Sequence, residues 1–115
     1  MTANLNLSRD NLLYVGAIDG DIDLASAREL LSEVLSGVTS DAQGLVLDMS
    51  NVRYLDSTGV SMLLDLHRSL HARRQRLCVV LPKTSHLWRL FEITGLPSIL
   101  RIDPTLVDAK AAAQA

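Results

Sequence analysis

Cysteine, aromatic residues and long apolar runs are all scarce in this chain of 115 residues. Its single cysteine, Cys78, excludes an internal disulfide and a thiolate zinc site. One Trp, two Tyr and one Phe leave the packing of a core to aliphatic side chains. No apolar stretch approaches the roughly 20 residues that a membrane span needs. Met1-Thr2-Ala3-Asn4 lacks the basic start and apolar stretch of a signal peptide, so a cytoplasmic protein is expected. The formal charge of −2 gives no electrostatic case for nucleic acid or an anionic membrane. Gly16 and Gly20 lack the spacing and helix context of a phosphate loop, so no cofactor is expected.

The Leu, Val and Ile that are present suffice for one domain over 1–115, with a core of about 5–110 and a tail over 111–115 expected to fray. Leu5 and Leu7 alternate with polar neighbours, and Leu12 to Ile18 is a second strand-like run. Arg9-Asp10-Asn11 between them predicts an opening hairpin. Gly20-Asp21-Ile22-Asp23 breaks the pattern, and Asp23 is a plausible N-cap for Leu24, Ala27, Leu30, Leu31, Val34 and Leu35 at helical spacing, ending at Gly37. Gly44 to Met49 reads as a buried strand, followed by a helix from Ser57 to about Arg74. Arg76 to Leu81 is the next strand, stopped by Pro82. Thr84 or Ser85 opens a helix carrying Leu87, Leu90, Phe91 and Ile93, closed by Gly95. Ser98 to Ile102 and a helix after Pro104 complete the order. Strands alternating with helices after one hairpin predict an α/β fold, a mixed sheet with about four helices mainly on one face.

The densest cluster of polar chemistry is Asp56-Ser57-Thr58-Gly59, between a strand and a helix. Capping explains such residues at a first helical turn. A modification site explains the excess of hydroxyl and carboxylate groups over what one cap requires. A phosphate on Ser57 would lie beside free helix amides, where the dipole favours an anion. An enzyme is not expected, because no Gly-x-Ser-x-Gly elbow surrounds Ser57. His67 is almost three turns away on the same helix. His67 and His71 have the i, i+4 spacing of a metal half-site without an evident third ligand, so no metal is expected. Arg73, Arg74 and Arg76 match compensation of a helix C-terminus, and Cys78 reads as a buried small hydrophobe.

Taken together, Gly20-Asp21-Ile22-Asp23, Leu45-Val46-Leu47-Asp48-Met49, Tyr54-Leu55-Asp56-Ser57-Thr58-Gly59 and Leu90-Phe91-Glu92-Ile93-Thr94-Gly95-Leu96 resemble the STAS-domain anti-sigma factor antagonists over about residues 5–110. The resemblance implies phosphorylation at Ser57, with Thr58 as the lesser alternative. It implies partner contacts at Asp23, Asp56, Ser57, Thr58, Gly59 and Ser61. Its implied partners are an anti-sigma factor that is also a serine kinase of the histidine-kinase-like ATPase fold, and a metal-dependent Ser/Thr phosphatase. A monomer or weak dimer is expected. The same scaffold without a phospho-switch, as a subunit of a stress-sensing or lipid-transport complex, is the alternative. Val60-Ser61 stands where many members have Leu-Gly, and Arg73-Arg74-Gln75-Arg76 replaces a turn that often contains glycine.

Overall fold

The computed structural model describes residues 3–114. Strand β1 (Ala3–Asp10) turns through Asn11, at φ 56°, into β2 (Leu13–Ile22), and the two pair antiparallel. Then follow α1 (Leu24–Gly37), β3 (Gly44–Leu55), α2 (Ser57–Ala72), β4 (Arg76–Val80), α3 (Trp88–Thr94), a 3-10 turn over Leu96–Ser98, β5 (Arg101–Asp103) and α4 (Leu106–Gln114). The sheet order is β1-β2-β3-β4-β5, with β2 to β5 all parallel.

Each crossover advances one strand in the same direction. Because such crossovers keep one hand, successive helices fall on one face. Ala27, Leu30 and Val34 of α1, Val60, Leu63, Leu66 and Leu70 of α2, and Phe91 of α3 accordingly share one core with Leu45, Leu47, Met49 and Val79. Helix α4 follows the last strand and is free of that constraint. It covers the opposite face, where Ala109 and Ala113 meet Leu13, Val46, Cys78 and Val80. Three helices on one face and one on the other agree with the predicted arrangement. Within the tail expected to fray, residues 111–114 form the end of α4, with Ala113 buried, and Ala115 lies outside the described residues.

Several boundaries differ from the sequence expectation. Gly20, Asp21 and Ile22 do not break β2 but continue it, through register shifts between Ala17 and Asp19 and between Gly20 and Asp21. The extra pairing carries β3 on to Leu55, six residues past the expected end at Met49. Helix α3 begins at Trp88 rather than near Ser85, whose Oγ instead accepts the Leu87 amide at 3.2 Å in the preceding turn. Helix α2 closes with Arg74 at φ 60°. The Gln75 amide donates to Leu70 O at 2.9 Å and the Arg74 amide to His71 O at 2.9 Å, the paired bonds of a Schellman end. Arg73 compensates a different helix from the one expected, donating to Leu35 O and Val38 O at the end of α1 at 3.0 and 3.1 Å.

Candidate functional site

Only Asp56 separates β3 from α2, so the strand's end fixes the helix's start. Asp56 is extended at φ −112° and ψ −170°, which aims its carboxylate back over the first helical turn. Oδ1 accepts from the amides of Thr58 at 3.0 Å and Gly59 at 3.4 Å, and the Thr58 hydroxyl also donates to it. The Tyr54 hydroxyl donates to Oδ2 at 3.4 Å. The Thr58 hydroxyl, aided by those two amides and Tyr54, holds the Asp56 carboxyl below the usual carboxylate range against the opposing effect of burial.

This division of labour separates the two explanations of the motif. Asp56 is the cap and Thr58 serves the cap. Ser57 is exposed, and its hydroxyl makes no hydrogen bond among the described residues. The amides of Thr58 and Gly59, expected to be free for a phosphate, are already taken by Asp56. Gly59, expected among the partner contacts, is buried. A Cβ there would stand 2.1 Å from Leu55 Cδ1 and 3.1 Å from Ile22 Cγ2, so its role is to let α2 approach the strand ends.

Helix α1 starts in the same way beside it, because Ile22 and Leu55 are register partners at the C-terminal ends of parallel strands. The Ser26 amide donates to Asp23 Oδ1 at 3.0 Å, and the Asp23 amide to Ser26 Oγ at 2.9 Å, a closed capping box. The Ser26 amide, then its hydroxyl, pull the Asp23 carboxyl below its ordinary range. Asp23 and Asp56 share a surface cavity with Leu24, Ala25 and Arg28. A neighbouring groove of about 220 Å³ runs between the helices, walled by Leu24, Ala27, Arg28 and Leu31 of α1 and by Ser57, Thr58, Ser61, Met62 and Asp65 of α2. Of the expected contact residues, Ser57, Thr58 and Ser61 line the groove, and Asp23 and Asp56 line the adjoining cavity, which shares Leu24 and Arg28 with it.

Three features here were not singled out in the sequence. Leu24 fits the helical apolar spacing yet is 58% exposed, an apolar side chain at the groove's entrance. Arg28 follows the cap by five residues and had no motif to mark it. Tyr54 is half exposed and tied to Asp56, and it borders a second groove of about 340 Å³ with Leu90 and Ile93 of α3.

The histidines lie elsewhere. His86 Nε2 donates to Arg53 O at 2.6 Å. His67 and His71 stack with ring centroids 6.1 Å apart and line a cavity with Arg76 and Arg101, not the Ser57 groove. Among the described residues no three His, Cys, Asp or Glu side chains converge to hold a metal ion, and no helix is long and apolar enough to cross a membrane.

The family model of the STAS domain matches residues 4–109. An anti-sigma-B factor antagonist of Listeria monocytogenes is 38% identical over 87 residues, covering 74% of either chain. One of Staphylococcus aureus is 28% identical over 104 residues, 90% of this chain and 94% of that one. The crystal structure of an anti-sigma factor antagonist from Mycobacterium paratuberculosis superimposes with a TM-score of 0.82 at 25% identity, covering 98% of this chain and 95% of the other.

Proposed function

The chain belongs to the STAS domain family, and from that premise we propose that it is an anti-sigma factor antagonist switched by phosphorylation of Ser57. Unmodified, it binds an anti-sigma factor that is also a serine kinase of the histidine-kinase-like ATPase fold, and so releases a sigma factor. Phosphorylation of Ser57 ends the complex, and a metal-dependent Ser/Thr phosphatase restores it. The chain supplies a docking surface and an acceptor hydroxyl and needs no cofactor of its own.

One observation carries this reading. Ser57 alone among the side chains of the Asp56–Gly59 turn is spared from holding the helix, and it stands at the rim of an apolar groove. A kinase needs an accessible hydroxyl that it does not have to pull out of the fold. The same placement explains the release. Phosphorylation adds roughly 1.5 to 2 negative charges, and here they arrive beside the ionised Asp56 with the amides of Thr58 and Gly59 already occupied. A partner packed over the groove must then desolvate a dianion next to a carboxylate. A penalty of about 3 kcal/mol lowers affinity about a hundredfold, sufficient for a switch.

The test is to incubate the protein with ATP, magnesium and each candidate anti-sigma kinase of its source, then to measure intact mass and map the site. One phosphate on Ser57, with loss of kinase binding, is expected. Ser57→Ala should bind the kinase permanently and Ser57→Asp poorly. Phosphate on Thr58 would refute the assignment of the acceptor. Stable binding with no phosphate transferred by any kinase would leave a STAS scaffold without a switch.

A further inference from the structure

Among the residues lining the Ser57 groove and the adjoining cavity of Asp23 and Asp56, Arg28 is the one cation. The other charges there, Asp23, Asp56 and Asp65, are all acidic. Asp65 is already paired with Arg68 on its own helix. Asp23 and Asp56 each use Oδ1 on a helix cap, and Asp56 Oδ2 accepts from Tyr54. Arg28 is exposed and makes no ion pair or side-chain hydrogen bond among the described residues, although it faces both sites. Elsewhere in the fold Arg9, Arg53, Arg68, Arg101 and Lys110 pair with carboxylates, and Arg73 and Arg76 donate to backbone carbonyls.

We propose that Arg28 binds the phosphate once Ser57 is phosphorylated, swinging across the mouth of the α1–α2 groove to do so. This rests on Ser57 being the acceptor. A phosphoserine offers three acceptor oxygens and more charge than either carboxylate, and a guanidinium matches such a group through two parallel N–H donors. The groove wall puts Arg28 on α1 across from Ser57 and Ser61 on α2, so the bond would bridge the two helices. Its aliphatic stem then lies over Leu24 and Leu31, the apolar wall that a partner would otherwise use. Phosphorylation therefore acts twice: it adds charge at the rim, and it recruits a side chain that covers the groove.

The test installs phosphoserine at position 57 of the full chain during translation, without a kinase, and follows its second ionisation by phosphorus NMR. Acidic neighbours raise that ionisation and a guanidinium lowers it. The Arg28→Met phosphoprotein is expected to titrate about half a pH unit higher than its parent, from the loss of one screened charge at contact distance. Arg28→Lys should recover part of the shift as a point charge. Arg53→Met, outside the groove, should leave the titration unchanged. Identical titration of the parent and Arg28→Met phosphoproteins would overturn the proposal, as would an equal shift from Arg53→Met, which would mark a general effect of net charge. Because no kinase takes part, these outcomes are independent of whether a kinase recognises Ser57.

Discussion

Replacing Gly59 with alanine sets two effects of known size against each other. In a helix free of neighbours, alanine is better than glycine by up to about 1 kcal/mol, so the change alone would stabilise α2. The surroundings oppose it. The added methyl would lie 2.1 Å from Leu55 Cδ1, 3.0 Å from Leu55 Cγ and 3.1 Å from Ile22 Cγ2. Carbon atoms in optimal contact sit roughly 3.5 to 4.0 Å apart. Rotation about χ2 of Leu55 can withdraw Cδ1 but not Cγ, and Ile22 is fully buried. Overpacking of this kind costs about 1 to 3 kcal/mol. The net expectation is a loss of roughly 1 to 2 kcal/mol, a fall of roughly 5–10 °C in melting temperature for a chain of this size. Urea unfolding followed by far-ultraviolet circular dichroism measures it. The second arm is Leu55→Ala, which alone costs about 2 to 5 kcal/mol by opening a cavity. Combined with Gly59→Ala, the new methyl enters that cavity, so the double variant should be less destabilised than the sum by at least about 1 kcal/mol. A neutral or stabilising Gly59→Ala, or additivity of the pair, would refute the close approach of α2 to the strand ends.

Asp56→Ala should cost about 1 kcal/mol through loss of the α2 cap, whereas Ser57→Ala, which removes no hydrogen bond of the fold, should stay within about 0.5 kcal/mol of the parent in the same unfolding assay. Arg74→Gly should stabilise by about 0.5 to 1 kcal/mol, because Arg74 sits at φ 60° in the left-handed region that costs a side-chain-bearing residue and not glycine; a lower melting point would count against it. Arg9, then Thr39, hold the Asp41 carboxyl at about 2, so the folded form binds its proton later than the unfolded chain does. This stability is therefore complete above about pH 4, near the unfolded carboxylate value, and is lost as pH falls toward 2. Asp23 and Asp56, also depressed, act in the same direction. Asp41→Asn should flatten the decline of melting temperature in that window, and an unchanged slope would contradict the pairing.

Element order was legible in the sequence because hydrophobic period, caps and glycines agreed, whereas the second, smaller core beneath α4 was not, since the sequence reading had a single core. Asp23 was read as a cap and is one, and Gly95, at φ 75°, ends α3 as its position suggested. The failures occur where pairing overrides local composition. Gly20-Asp21 has turn chemistry, yet Gly20 pairs with Val52 and Asp21 with Tyr54, and two register shifts absorb the mismatch. Alternation is lost through those shifts, so Ser50, Asn51 and Arg53 gave no period from which to extend β3. Likewise Ser98 to Ile102 looked extended, but Gly95 and Pro97 wind Leu96–Ser98 into a 3-10 turn and leave only Arg101–Asp103 to pair with β4.

The site was legible as a place and not as a division of roles. Composition shows that Asp56, Ser57 and Thr58 hold more polar atoms than one helix start can use, but either Asp56 or Ser57 could supply the cap. The choice follows from the end of β3. With Leu55 paired to Ile22 as the last strand residue, Asp56 is the residue left extended, and an extended residue at that point is the one whose side chain returns to the amides two and three residues on. Thr58 then lies within reach of the same carboxylate and spends its hydroxyl there. Ser57 is exposed and bonds to neither. The strand register thus selects which hydroxyl is left exposed, and the close approach of Gly59 to Leu55 and Ile22 holds that selection in place.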